Sequence, residues 1–266
     1  MGTGISEDNV EGIELVEQLY GLFSGEEFLD DLEAEHRQEI LRDEQLSGLL
    51  TNLVDSSHHK FNAMRIVIQE HQLEFVQIPL QFQKHGGIVD LFAKKNNKTL
   101  AETLLSRRYL SLSTEVHRFY QNSLNDKLGE FLYRLKASGD KFYLRFLNES
   151  GDNVFCDFSI ASTVLSQSKG IYCFTLGEVI KYIGRSHDPF EKRVNQGYGH
   201  ISPKNCYRDG QSTNCHVNSL IAKNSAEISF FACPIDDDFK IDRLEKLLID
   251  SYSPEWNVLH RRKAQT

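Results

Sequence analysis

Two phenols lie ten positions apart, Tyr172 and Tyr182, inside the tripeptides Gly170-Ile171-Tyr172 and Tyr182-Ile183-Gly184. On two paired strands both rings can share one face. A hydroxyl there can orient or deprotonate a water if a neighbour takes the proton or a cation lowers its pKa. Further on, "FEKR" puts Phe190 and Arg193 three apart, on neighbouring positions of one helix face. A guanidinium offers planar, paired donors that match a phosphate. Glu245 sits at the rim of the apolar stripe of the last helix. One carboxylate there suits a hard, oxygen-seeking ion such as Mg²⁺, with phosphate and water completing its shell. Asn257, in "SPEWNV", has an amide able to hold a loop or contact a phosphodiester. Taken singly, each has a plainer reading: tyrosines packed in a core, a surface arginine, and an ion pair of Glu245 with Arg243 or Lys246.

His187, His200 and His216 lie between the second strand of this region and its second helix, and each could relay a proton near pH 7. His200, Cys206, Cys215 and His216 also raise zinc, although their spacing lacks the paired Cys-x-x-Cys form.

The elements that must position these groups follow from pattern. "GIYCFTL" and "VIKYIGRS" read as two strands turning at Leu176-Gly177-Glu178. "DPFEKRVNQ" starts a helix, with Asp188 as its N-cap and Pro189 at its first position. "CHVNSLIAKN" is a second helix and "AEISFFACPI" a third strand. "DFKIDRLEKLLIDSYS" is an amphipathic helix with Ile241, Leu244, Leu247 and Leu248 on one stripe, ending before Pro254. The order is β, β, α, α, β, α. Upstream, residues 1–50 and the stretch from about Ser56 through "AMRIVIQEH" read as helix. "LEFVQIPLQF" reads as a strand ending near Pro79. The segment 86–124 reads as short helices, and "DKFYLRFLNESGDNVFCDFSI" as a β-hairpin. Arg107 and Arg108 could face phosphates in a helix-turn-helix, but an ordinary helical bundle explains the same spacing.

Composition sets the frame. The 266 residues are 40% apolar and 26% charged, as in ordinary globular chains, and no run is long and apolar enough for a membrane span. Five cysteines, an odd and small number, point to free thiols in a reducing cytoplasm. The net charge of -8 is uneven. Residues 1–50 carry fourteen acidic residues against Arg37 and Arg42, whereas the remainder carries 28 basic and 24 acidic residues. This argues against a protein that simply coats nucleic acid and leaves room for a locally basic cleft. It also suggests that the acidic lead segment folds over that cleft.

Taken together, Gly170-Ile171-Tyr172, Tyr182-Ile183-Gly184, Arg193, Glu245 and Asn257 resemble the GIY-YIG nuclease superfamily over about residues 168–258. The resemblance implies a β-β-α-α-β-α module that hydrolyses DNA phosphodiesters with Mg²⁺ (or Mn²⁺). It implies Tyr172 as general base or water-orienting group and Tyr182 as a hydrogen-bonding partner near the scissile phosphate. Arg193 would stabilise the transition state, Glu245 would be the metal ligand, and Asn257 would support the site. Many members carry a lysine after the second glycine, where this chain has Arg185. Several carry a histidine one turn after the helix arginine; Gly197 stands there, so His200 or His216 is the expected replacement. Arg185, together with Lys204 and Arg208 in the loop "GYGHISPKNCYRDGQSTN", is an expected DNA contact.

The expected fold is therefore α/β of the α+β kind, in two domains. Residues 166–266 form the nuclease module, a small three-stranded antiparallel sheet flanked by helices. Residues 1–165 form a mainly helical domain with a β-hairpin and a target-recognition or regulatory role, through which the chain could bind a protein partner or self-associate. Restriction or phage defence is the first setting expected for such an endonuclease. Homing or repair, or a module that binds nucleic acid or a partner without cutting, are the alternatives.

Overall fold

The computed structural model describes residues 62–83 and 87–258. The helices expected over 1–50, and the acidic segment expected over the cleft, lie outside the described residues.

Alternation of apolar side chains builds the first strands. β1 (Ala63–Ile68) turns Ile66 and Ile68 inward and leaves Val67 exposed, then reverses at Gln69 into β2 (His71–Ile78), which ends at Pro79. The helix expected from Ser56 through this stretch is thus, over its described part, a strand. The run Arg65-Ile66-Val67-Ile68 is rich in β-branched residues, and a period of two buries one face where a helical period would not.

The two tripeptides Gly170-Ile171-Tyr172 and Tyr182-Ile183-Gly184 lie in β5 (Gly170–Leu176) and β6 (Val179–Ser186), which turn at Gly177, whose φ is 55°. β7 (Ile228–Pro234) pairs with β5, and β2 pairs with β7. The result is one antiparallel sheet of order β1-β2-β7-β5-β6. The three strands expected of the C-terminal module are there, extended to five by β2 and β1. The segment expected to form a hairpin, 140–160, does not pair with itself. Asp140 caps a 3₁₀ helix over Lys141–Phe146, whose aromatic rings pack inward. The short β4 (Phe158–Ile160) pairs instead with β3 (Leu80–Phe82).

Six α-helices complete the described chain: α1 (Leu100–Leu104), α2 (Ser113–Phe119), α3 (Leu128–Ala137), α4 (Phe190–Arg193), α5 (Ser212–Lys223) and α6 (Asp238–Tyr252). α6 lays Ile241, Leu244 and Leu248 on the sheet face that carries Ile171, Cys173 and Ile183. The opposite face carries Tyr172, Phe174, Tyr182 and Phe230 and is covered by Phe190 of α4, Val217 and Ile221 of α5, and Trp256. A third core joins α1–α3 to Cys206, Tyr207 and Cys215. Residues 61–266 make one compact unit. Chain from both sides of the 165/166 position therefore shares one sheet and, in this third core, one set of packed side chains. The described architecture is mixed α/β, and none of its helices is long and apolar enough to cross a membrane.

Candidate active site

The spacing of the two tripeptides has a geometric reason. Tyr172 of β5 stands directly opposite Gly184 of β6. A Cβ on residue 184 would lie 2.5 Å from the Tyr172 hydroxyl, so only glycine lets that phenol lie across the neighbouring strand. Gly170, at φ 142°, passes against the Cys233 carbonyl, where a side chain would collide.

The three phenols and one guanidinium meet at a single oxygen. The Tyr198 hydroxyl lies 2.9 Å from that of Tyr172 and 3.0 Å from that of Tyr182, and Arg193 Nη2 donates to it at 2.6 Å. The Arg193 guanidinium also stacks over the Tyr198 ring, 4.3 Å from its centroid. Tyr198 was not among the residues singled out from sequence. It is brought in by a π turn, Val194–Tyr198, in which Gly199 N–H donates to the Val194 carbonyl at 2.7 Å. Gly197 makes room for the arginine, since a Cβ there would lie 2.6 Å from Arg193 Nη1.

Donor counting orients this cluster. A hydroxyl has one proton and two lone pairs, and Arg193 can only donate. Tyr198 therefore accepts from one phenol and donates to the other. Tyr172 is fully buried and Tyr182 retains 8% exposure. Because Tyr172 is the more buried of the two, the favoured arrangement has Tyr172 donating to Tyr198 and Tyr198 donating to Tyr182, whose own proton is then not used within the cluster. Burial raises the pKa of all three phenols, most of all that of Tyr198. For Tyr172 the Arg193 charge opposes that rise without cancelling it. At neutral pH the phenols are thus protonated, and Tyr172 has the character of an orienting group rather than a preformed base. Burial works against the charge of Arg193, and its three phenol neighbours more than restore it.

Glu245 projects from α6, whose apolar stripe packs on the other sheet face, at the rim position expected. Its Oε2 accepts from Arg185 Nη1 at 2.7 Å, its side chain is 15% exposed, and its charge contributes to raising the pKa of both Tyr172 and Tyr182. Arg185 also pairs with Asp242 at 3.2 Å, so this expected DNA contact is engaged by two α6 carboxylates. Among the described residues no group of three or more His, Cys, Asp or Glu side chains is gathered for a metal. A single carboxylate whose charge is felt at Tyr172 and Tyr182 is chemically compatible with a magnesium-type ion, which takes few protein ligands and completes its shell with water and phosphate oxygens.

Asn257 is 7% exposed and clamps β6. Its Oδ1 accepts from Ile183 N–H at 3.0 Å and its Nδ2 donates to the Ile183 carbonyl at 2.8 Å. With Trp256 N–H on the Lys181 carbonyl, it covers the edge strand as another strand would. In the described structure it holds β6, the strand that carries Tyr182, beside that residue.

The two histidines weighed for catalysis lie elsewhere. His200 is 71% exposed and pairs with Asp157 at 3.2 Å. His216, on α5, has a lowered pKa through burial, against which a hydrogen bond to the Trp256 backbone acts. Neither bonds to the phenols, Arg193 or Glu245 among the described residues. The zinc quartet is likewise dispersed: Cys206 pairs with Cys215 in the third core, apart from the partners of His200 and His216. All five cysteines are free and buried. At the helix start, Asp188 does not cap α4. Its carboxylate pairs with Lys192, and Pro189 occupies the N-cap position.

A mixed α/β unit with a phenol–guanidinium cluster on one sheet face and a carboxylate near it is the class that fold and site define. No protein-family model, no curated protein and no solved structure matches the chain.

Proposed function

We propose that the chain is a metal-dependent endonuclease of the GIY-YIG kind that hydrolyses DNA phosphodiester bonds. The observation that carries this reading is the convergence of Tyr172, Tyr182 and Arg193 on the hydroxyl of Tyr198, with the Glu245 charge felt at both strand phenols. Arg193 offers N–H donors and a fixed positive charge to the phosphoryl oxygens, where charge builds in the transition state. Tyr182 would donate its remaining proton to the same group. Tyr172 and Tyr198 would act by holding the order of hydrogen bonds that fixes the Tyr182 hydroxyl and the Arg193 guanidinium in place. A Mg²⁺ or Mn²⁺ ion held by Glu245 would supply further charge stabilisation and lower the pKa of its bound water. Tyr198 takes the place in which several family members carry a histidine, reached here through one extra residue of π turn. Restriction or phage defence is the setting proposed, with the chain before β5 serving target recognition or control.

Incubation of the full chain with supercoiled plasmid, with and without Mg²⁺, followed by mapping of the ends, tests this. Metal-dependent nicks or breaks with defined 5′ and 3′ ends are expected. Intact plasmid over a range of divalent metals contradicts the reading.

A further inference from the structure

A second cationic centre is built on the helical part of the molecule. Lys95 follows the 3₁₀ turn Leu91–Lys94, and its side chain is only 12% exposed. Its Nζ lies 4.0 Å from the centre of the Tyr207 ring and 3.7 Å from Asp209 Oδ1. Asp209 is shared, since it also accepts the Tyr109 hydroxyl at 2.7 Å. Burial lowers the pKa of Lys95; Asp209 opposes this, and the neighbouring Lys204 and Lys98 add to it. Arg208 sits one residue before Asp209, its carbonyl held by Arg108 Nη1 at 2.7 Å.

Counter-charge is scarce here. Among the described residues neither Lys98, Lys204 nor Arg208 has a carboxylate within ion-pair distance. Glu102, the next acid, is turned into a capping box with Thr99. The loop that carries Lys204 and Arg208 is fixed. Asn148 Nδ2 donates to the carbonyls of Asn205 and Tyr207 at 2.7 and 3.2 Å, and the Tyr207 hydroxyl donates to the Phe92 carbonyl at 2.9 Å. A held loop backbone that carries exposed cations with little counter-charge is partly preorganised for a polyanion, because little loop ordering is left for binding to impose.

The same loop leads directly from Tyr198. Lys204 lies six positions after Tyr198, so their Cα atoms are at most about 22 Å apart. That is about six base-pair rises along a duplex. We propose that Lys95, Lys98, Lys204 and Arg208 form a phosphate-backbone site that grips duplex DNA a few base pairs from the bond to be cut. The proposal rests on the nuclease reading for the identity of the polyanion. It adds a sequence-independent anchor outside the phenol cluster.

The test is fluorescence anisotropy of the full chain with labelled 25-base-pair duplexes of two unrelated sequences, in EDTA, from 50 to 200 mM salt. The variant Lys204→Ala/Arg208→Ala removes two exposed charges, and Lys95→Met keeps the packed stem over Tyr207. Lys246→Ala on α6 is the control. The double variant is expected to bind both duplexes about tenfold more weakly and to lower the salt slope by about two. Lys95→Met lowers it by about one, and Lys246→Ala changes nothing. Unchanged affinity and slope in the double variant overturn the site, as does a wild type that binds an acidic peptide more tightly than either duplex. Mg²⁺-dependent plasmid cutting by the same preparations reports separately on the nuclease reading.

Discussion

Arg193 donates to the hydroxyl of Tyr198 at 2.6 Å, although they are five positions apart and α-helical geometry would turn them apart. At 3.6 residues per turn, position 198 would point about 140° away from position 193. The π turn removes that offset and makes Tyr198 the common partner of every polar group in the cluster.

Removal of this one oxygen therefore has two readouts. Tyr198→Phe removes the oxygen that Arg193 donates to at 2.6 Å and a buried partner of the Tyr172 hydroxyl, leaving those two only each other, and is expected to cost about 1–3 kcal/mol in denaturant unfolding. Single-turnover cutting is expected to fall by about 10²-fold or more, as when a positioned donor is lost. A variant as stable and as active as wild type would remove Tyr198 from the site.

The glycines separate packing from positioning. In Gly184→Ala the new Cβ meets the hydroxyl and ring of Tyr172, at 2.5 and 2.6 Å, and that ring is enclosed on all sides. In Gly197→Ala the Cβ meets the end of the Arg193 side chain, at 2.6 Å, which can swing. Thermal unfolding is expected to show a loss of about 1–3 kcal/mol for the first and clearly less for the second, while both lose cutting. Equal stability losses would mean that Tyr172 does not lie over Gly184.

Much of this hairpin was legible. Two short apolar runs around Gly177 can hardly be anything but paired strands, and Glu245 beside Leu244 places itself at a stripe's rim. Tyr198 was not legible, because α-helical spacing puts Gly197, not Tyr198, one turn beyond Arg193. The role of Asn257 was half legible: its amide does hold chain, but the chain is β6, a contact 74 residues back in sequence. β1 was misread as helix because its alternation is short and follows a helix-like stretch. The expected hairpin over 140–160 failed because Phe142 and Phe146 find partners among distant aromatic rings, and propensity cannot report such packing.

Stability should fall in alkali. The folded phenols of Tyr172, Tyr182 and Tyr198 titrate above the ordinary value near 10, and the unfolded ones at it. Above pH 10 the unfolded chain releases protons that the folded chain keeps, so the unfolded state is favoured. The contribution is whole below pH 10 and lost as pH rises toward the folded values. Denaturation midpoints from pH 8 to 11 should decline, and less steeply in Tyr198→Phe. A flat profile would place these phenols in water.

His200 offers a contrast. It is exposed and, among the described residues, pairs with Asp157, so His200→Ala is expected to leave plasmid cutting within about twofold of wild type. A loss of a hundredfold would show that the loop carries this side chain into the site with substrate.

The central claim, that guanidinium and carboxylate act together at the phenol cluster on a phosphodiester, is tested most directly by single-turnover cutting in Mg²⁺. Wild type, Arg193→Ala and Glu245→Ala should be compared at matched folded fraction. The account predicts metal-dependent cutting by wild type and its loss in both variants, with each still folded by thermal melt. Cutting that survives in both variants contradicts it.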